Sequence, residues 1–345
     1  MPQQPTDYAL IVGIDDYPNF RSLEGAKNDA LAFEEWVLDC DQGGGVPPEN
    51  CHTVLSQPDP LRPIQDDIDE ELEEILSAIK NNTPAEVRRF YLYFSGHGLS
   101  RDRLGMDLCL GKWSRTHRRQ ALDANDYHKV VAGWGKFSEI ILLYDCCRVR
   151  MSNAHGRECG LGSPRPADAA GSDRCFIGYA TEFQNLAMEA EVGGADSLGG
   201  QESLIRGHFT SALLAALWGG AARDEGGVPA SRLKDYLEAA TIEIAERNGH
   251  KQTPEIINGF LSNNEPVFGA ALPASYNLEI RFNPARVGEM VLVGPDNQEI
   301  KRAPAATGPW RVQLSAGLHI IEDTASGDIQ PIRYEKLKGV RYVDF

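Results

Sequence analysis

The chain has 345 residues, 24% of them charged and 42% hydrophobic, which is the composition of an ordinary globular protein with length for two domains, or for one large domain with an appendage. A formal net charge of -16 argues against a nucleic-acid binder, which needs a basic face, and suits partners or substrates that carry Lys or Arg. No run approaches the roughly 18 apolar residues of a membrane span, and the first residues, MPQQPTDYAL, lack the pattern of a signal peptide. Seven scattered cysteines with no CxxC pair read neither as a disulfide framework nor as a structural metal site, so a reducing cytoplasm is the expected location.

Residues 8–14 (YALIVGI) form a short apolar run that ends in Asp15-Asp16-Tyr17-Pro18, predicting a buried strand and a turn. Residues 28–39 turn helical. Between 66 and 80, Ile68, Leu72, Ile75 and Ile79 recur at helical spacing, with Asp and Glu filling the solvated faces. The runs 90–95 (FYLYFS) and 140–145 (IILLYD) read as strands, and a helical stretch at 125–134 lies between them. This alternation predicts a mostly parallel sheet covered by helices on both faces. Residues 175–180 (CFIGYA) and 253–260 are further strand candidates, and 209–218 and 231–247 read as helices.

Two stretches break the rhythm. Residues 148–174 mix Gly, Ser, Pro and Arg without periodicity and read as a long loop, and the Gly-rich acidic stretch 188–202 reads as another. The basic island 113–120 (WSRTHRRQ) reads as an exposed hairpin. After about residue 270 the style changes to short strands separated by turns, at 276–282, 289–293, 310–314, 319–322 and 332–334. The expected division is therefore 1–270 for an α/β domain and 271–345 for a small all-β, sandwich-like accessory domain.

Two strand ends carry chemistry. One reads Phe94-Ser95-Gly96-His97-Gly98 and the other Tyr144-Asp145-Cys146-Cys147-Arg148. Ligands of open α/β sheets sit at the carboxyl ends of strands, so neighbouring strands would deliver a His and a Cys to one crevice. A thiol beside imidazole attacks carbonyl carbon as thiolate, and the imidazole then protonates the departing amine. The amides of Gly98 and Cys147 are candidates to hold the oxyanion. Taken singly, a Cys or a His after a strand is more often structural, and the pairing of two strand ends is what carries the reading.

These segments resemble those of caspase-like cysteine peptidases, nearer to prokaryotic metacaspases and orthocaspases than to animal caspases. The resemblance rests on YALIVGIDDYPN, LEGAKNDA, FYLYFSGHG, IILLYDCC, GHFTSALL and QTPEI, which occur in the family's order over about 8–262. The 50-residue separation of His97 and Cys147 also matches the caspase spacing. The resemblance implies a six-stranded, mainly parallel sheet flanked by helices. It also implies that the nucleophile is Cys147 and not Cys146, since the family pattern is Asp, a small residue, then the nucleophile. Metacaspases continue with His-Ser-Gly, whereas here the nucleophile is followed by Arg148-Val149-Arg150.

The family pattern further implies a specificity pocket of Asp29, Ser95 and Asp145, which would bind Arg or Lys by charge and bidentate hydrogen bonds. Read alone, Asp29 is a helix-start acid and Asp145 a strand-end residue. By the same resemblance, 148–174 is the activation loop, with Arg150, Arg157, Arg165 and Arg174 as sites for self-cleavage or for an upstream protease. The substrate backbone is expected to pair along a strand edge near Ala180. No cofactor is expected. Calcium activates many metacaspases, but Asp107, Asp123 and Asp126 read as ordinary surface acids, with no convincing site among them. Relatives act in stress, programmed death or antiphage defence, a role the resemblance extends to this chain only as an expectation. The tail LSAGLHIIE resembles PEGA-like β modules. Alternatives on the same residues are a catalytically silent caspase-fold scaffold, a peptidase cutting after Asp, and a separase- or gingipain-like hydrolase.

Overall fold

A computed structural model describes residues 4–345 apart from 84–85, 104, 152–154, 164–173, 193–203, 224, 262–263, 273–275, 277, 287, 296, 315–316 and 335–340. The elements follow the alternation: β1 (Asp7–Gly13), α1 (Ala26–Leu38), β2 (Cys51–Leu55), α2 (Gln65–Ala78), β3 (Arg89–Ser95), three short strands β4 (Gly98–Ser100), β5 (Asp107–Cys109) and β6 (Ala121–Asp123), α3 (Ala124–Trp134) and β7 (Glu139–Asp145). Then come β8 (Val149–Arg150), β9 (Cys175–Tyr179), a hairpin of β10 (Glu189–Val192) and β11 (Leu204–Gly207), α4 (His208–Ala215), α5 (Ala230–Arg247) and β12 (Glu255–Asn258).

The central sheet has six strands in the order β12-β9-β7-β3-β1-β2, all parallel except the antiparallel edge strand β12. Strand side chains alternate between its two faces. Leu10, Val12, Phe90, Leu92, Phe94 and Leu142 pack with Ile68 and Leu72 of α2 and Tyr127 and Val131 of α3. Their neighbours Ile11, Tyr91, Tyr93, Ile141 and Leu143 pack on the other face with α1, α4 and α5. On α1, Phe33 and Trp36 are fully buried, each contributing roughly 2–3 kcal/mol of apolar transfer. That anchoring fixes the whole helix, and with it the position of Asp29.

Register decides what reaches the sheet's carboxyl edge. Ser95 pairs with Gly13 on one side and Asp145 on the other. Both Ser95 and Asp145 share the face of Tyr93 and Leu143 by the period of two, so they point toward α1 and α4.

Several expectations need correction. The stretch 188–202 is not simply a loop, because Glu189–Val192 forms one strand of the β10–β11 hairpin; residues 193–203 lie outside the described set. Within 148–174, Val149–Arg150 pairs with Leu99–Ser100, while 152–154 and 164–173, including Arg165, lie outside the described residues. The basic island connects antiparallel β5 and β6, but its Trp113 is buried and not exposed.

Residues 278–345 form β13 (Leu278–Arg281), β14 (Glu289–Val293), β15 (Glu299–Pro304), β16 (Trp310–Val312), β17 (Gly317–Asp323), β18 (Ile329–Tyr334) and β19 (Arg341–Asp344). They make a three-stranded and a four-stranded sheet, and both contribute to one hydrophobic cluster around Trp310, Met290 and Ile321. The sequence reading missed β15 and β19, whose charged residues mask the alternation.

Candidate active site

A cavity of about 510 Å³ opens at the carboxyl edge of β3 and β7 and is lined by His97, Gly98, Cys146, Cys147, Asp29, Ser95 and Asp145, among others. The His and Cys that the sequence placed on separate strand ends therefore share one space. Around them the loops that follow β1, β3 and β7 meet.

Local interactions fix His97 closely. Its N–H donates to the Tyr17 hydroxyl at 3.0 Å, and that hydroxyl donates to the Cys109 carbonyl at 3.0 Å. The ring is flanked by Tyr17 and Phe20, with centroids at 4.6 and 4.8 Å. Its Nε2 lies 2.6 Å from the Arg21 carbonyl. A carbonyl only accepts, so Nε2 carries the proton and the neutral ring keeps its lone pair on Nδ1. Burial holds the imidazole below its ordinary pKa, partly offset by that carbonyl. The ring therefore rests neutral, as a base.

The Cys147 thiol is half-buried and contacts Ala187: the amide N–H points at Sγ from 3.4 Å, and Sγ lies 3.6 Å from the carbonyl. Burial raises its pKa, and the Ala187 amide offsets this only in part. Cys147 thus rests as a thiol. Cys146 is fully buried, with its own thiol pKa pushed well up by burial. Gly98 packs so tightly against the Cys147 peptide that a Cβ there would lie 2.5 Å from the Cys147 carbonyl.

The acidic residues converge. Asp29 accepts the Ser95 hydroxyl at 3.1 Å and the Gly207 amide at 3.1 Å on both oxygens. It sits in the first turn of α1 but does not cap that helix. The cap comes from Asp15, whose Oδ1 accepts the Ala26 amide at 2.8 Å. Asp145 accepts the amide and hydroxyl of Thr210 at 3.0 and 2.7 Å, and Tyr93 backs that hydroxyl at 2.5 Å. Gly207 threads between the acids, and a Cβ on it would lie 2.2 Å from Asp145 Oδ2 and 3.0 Å from Asp29 Oδ2. Burial raises both carboxyl pKa values, Asp145 to about 6, and Asp29 is pushed up further by its neighbour Asp145.

Sequence reasoning missed Glu189, which lines the same cavity and accepts the Gly25 amide at 3.0 Å. Its only sequence signal was an acid in a run taken for a loop. The role of the residue after Cys147 was also open in the sequence. Arg148 is buried, pairs with Glu255 at 2.5 Å, donates to the Arg103 carbonyl at 2.7 Å and lies 4.2 Å over the Tyr179 ring. Its backbone exchanges hydrogen bonds with Asn185 and Gln184. Arg148 thus joins the loop after β7 to the segment 184–187 that carries Ala187.

The Ala180 amide donates to the Tyr144 carbonyl and its carbonyl accepts from the Gln252 side-chain amide, while Leu186, Ala187, Met188 and Glu189 line the cavity beside Cys147. One further expectation is corrected. Asp107 is buried and not a surface acid. It faces Arg101 at 3.5 Å, and Arg101 also pairs with Asp123, the N-cap of α3, so the chain's own guanidinium stands between these two acids. Asp126 accepts the Cys159 amide at 2.9 Å. Among the described residues, no helix is long and apolar enough to cross a membrane.

A family model described as the caspase domain matches residues 6–264. A probable protease of a Desulfuromonadales bacterium is 30% identical over 230 residues, or 62% of this chain, and the chain spans only 26% of that protein. The solved structure of pro-sf-caspase-1 is 15% identical, with 76% of this chain and 90% of that chain covered at a TM-score of 0.40.

Proposed function

The chain belongs to the caspase-domain family of peptidases, and we propose that it is a cysteine endopeptidase that cleaves polypeptides after Arg or Lys. One observation carries the specificity: Asp29, Ser95 and Asp145 line the same cavity as Cys147 and His97. An Arg or Lys side chain entering there meets two buried carboxylates, with Glu189 as a third acid on the wall. Charge and hydrogen bonding both favour it, while an Asp side chain would be repelled. Fluorogenic peptides that differ only at the residue before the cleaved bond test this. Arg and Lys peptides are expected to be hydrolysed at least 100-fold faster than the Asp peptide, about 2.7 kcal/mol in transition-state terms. Preference for Asp would sink the reading.

In this mechanism Cys147 Sγ attacks the carbonyl carbon as its proton passes to His97 Nδ1. The amides of Gly98 and Cys147 hold the oxyanion. His97 then protonates the departing amine, leaving a thioester between Cys147 and the acyl half of the substrate. Water attacks the thioester with His97 as base, which releases the new carboxyl end and restores the thiol.

The pocket gives this enzyme a pH dependence of definite sign. Asp145 titrates at about 6 and Asp29 is also raised, so acid discharges the pocket before it affects an ordinary surface carboxylate. The kcat/KM for an Arg peptide is expected to fall as pH drops through about 6, chiefly through KM. Burial holds the His97 imidazole below its usual pKa, so it takes up a proton at lower pH than a free histidine does. Full activity on an Arg peptide at pH 4.5 would contradict this arrangement.

We further propose that cleavage after the nucleophile strand activates the enzyme, by self-cleavage or by an upstream protease, and that Arg174 is the favoured described site. A peptidase binds its substrate as an extended strand with free backbone groups. Arg157 donates to Ala121 and accepts from Asp123, and Arg150 lies in β8, so both have their backbones engaged. Arg174 is exposed, immediately before β9.

A further inference from the structure

Three carboxylates around one cavity pose an electrostatic difficulty. Asp29 and Asp145 are 2% and 5% exposed and lie on either side of Gly207, with Glu189 on the same wall. Two buried acids this close resist ionising together. A pocket whose acids remained protonated would greet a cationic side chain without charge, and substrate binding would have to drive the deprotonation.

The residue before Gly207 bears on this. Arg206 Nε lies 3.8 Å from Asp29 Oδ1 and is itself buried, with no hydrogen-bond partner among the described residues. The contact is therefore one of charge and not a directional hydrogen bond. Arg206 does not belong to the cavity wall, so its guanidinium leaves the substrate's space clear. The residues on both sides of it are tied to α1: the Ile205 carbonyl accepts from Asn28 at 3.0 Å, and the Gly207 amide donates to Asp29. The hairpin strand β11 thus delivers a fixed cation to one acid of the pair.

We propose that Arg206 is the built-in counter-ion of the specificity pocket, a positioning residue whose charge favours the ionised form of Asp29 beside Asp145. The inference rests on the Arg/Lys reading of the pocket. A guanidinium suits the task because it never loses its proton in a protein. Around Asp29 stand Asp145 from β7, Ser95 and Tyr93 from β3 and Arg206 from β11. Among these groups Arg206 alone is cationic. Arg21 and Arg115 also line the cavity, but around Gly207 the two carboxylates outnumber Arg206, and the incoming Arg or Lys neutralises what Arg206 leaves.

The test compares wild type, Arg206→Gln and Arg206→Lys on an Arg fluorogenic peptide from pH 5 to 9. Arg206→Gln is expected to move the acid-side midpoint of kcat/KM up by about one pH unit, in keeping with the usual effect of a charge within ~4–6 Å. At pH 6 its kcat/KM falls about fivefold through KM, and at pH 8.5 it recovers to near wild type. Arg206→Lys keeps the wild-type midpoint. Alkylation of Cys147 by iodoacetamide, which does not use the pocket, proceeds at the wild-type rate in both variants. An unmoved midpoint, a loss of equal size at every pH, or a gain of activity on removing Arg206 would overturn the proposal. A wild-type enzyme with no preference for Arg or Lys overturns the pocket reading as well, and that result is visible before any variant is compared.

Discussion

Cys147→Ala is expected to abolish peptide hydrolysis, lowering kcat by roughly 10⁵–10⁶-fold, the scale seen when a covalent nucleophile is removed. The neighbouring cysteine should not compensate. Cys146 is fully buried and burial holds its thiol protonated, so it has neither the access nor the thiolate character to attack a carbonyl. The complementary variant, Cys146→Ala, is expected to keep the thioester chemistry. A chloromethyl ketone carrying Arg should label Cys147 in the wild type, and mass spectrometry of the labelled peptide distinguishes the two thiols directly. The inactive Cys147→Ala protein is also the right substrate for trans processing. Incubated with active enzyme, it is expected to split after Arg174, leaving the bonds after Arg150 and Arg157 intact. Cleavage after Arg157 would require its pairing with Ala121 and Asp123 to come apart first. Activity surviving in Cys147→Ala would remove the nucleophile assignment altogether.

Asp145→Asn should have the second-largest effect. Removing one partner of a desolvated charge contact costs about 2–5 kcal/mol, so kcat/KM for Arg and Lys peptides is expected to fall roughly 10²–10³-fold. The loss belongs mainly in KM, because the substrate cation contacts Asp145 in both the ground and the transition state. Stability should move the other way. The Asp145 pKa in the fold is raised to about 6 from 3.8. A buried acid with a raised pKa favours the fold while protonated, and that contribution is lost as pH rises through about 6. Asparagine stays neutral and still accepts from Thr210, so Asp145→Asn is expected to melt roughly 2–4 °C higher than wild type at pH 8 and to show no such gain at pH 4. Lost activity together with higher stability marks a functional pocket, where charge is held at a cost to the fold. Lower stability at pH 8 with unchanged KM would make Asp145 a structural residue.

Asp29 and Asp145 show how far motif reasoning reaches. Each has an ordinary local explanation as a helix-start acid or a strand-end acid, and nothing in its own segment distinguishes the roles. The resemblance joined them in advance. The physical cause of their meeting is the register of Ser95 with Asp145 together with the docking of α1 by Phe33 and Trp36. The hairpin acid Glu189 escaped notice because a short strand in a Gly-rich, acidic stretch has no hydrophobic alternation to announce it.

Arg148 illustrates a different failure. In sequence it is a charged residue at the start of a stretch read as a loop, with nothing to mark it as buried. In the fold it is buried because Glu255 and Tyr179, from strands more than 30 residues away, provide a carboxylate and an aromatic face. Buried charges are tolerated only when partners of this kind converge, and partners distant in the chain leave no local mark.

Sequence alone determined the alternating strands and helices and the two strand ends that bear His97 and Cys147. Those features rest on short-range periodicity and on residue types that carry reactive groups, which a linear chain displays openly. Tertiary structure alone decided that the Arg21 carbonyl and the Tyr17 hydroxyl hold His97, that Ala187 contacts the thiol, that Arg148 turns inward and that Arg206 stands behind Asp29. Backbone carbonyls and amides have no side-chain signature, and the sign of a local field depends on which distant charges fold beside it.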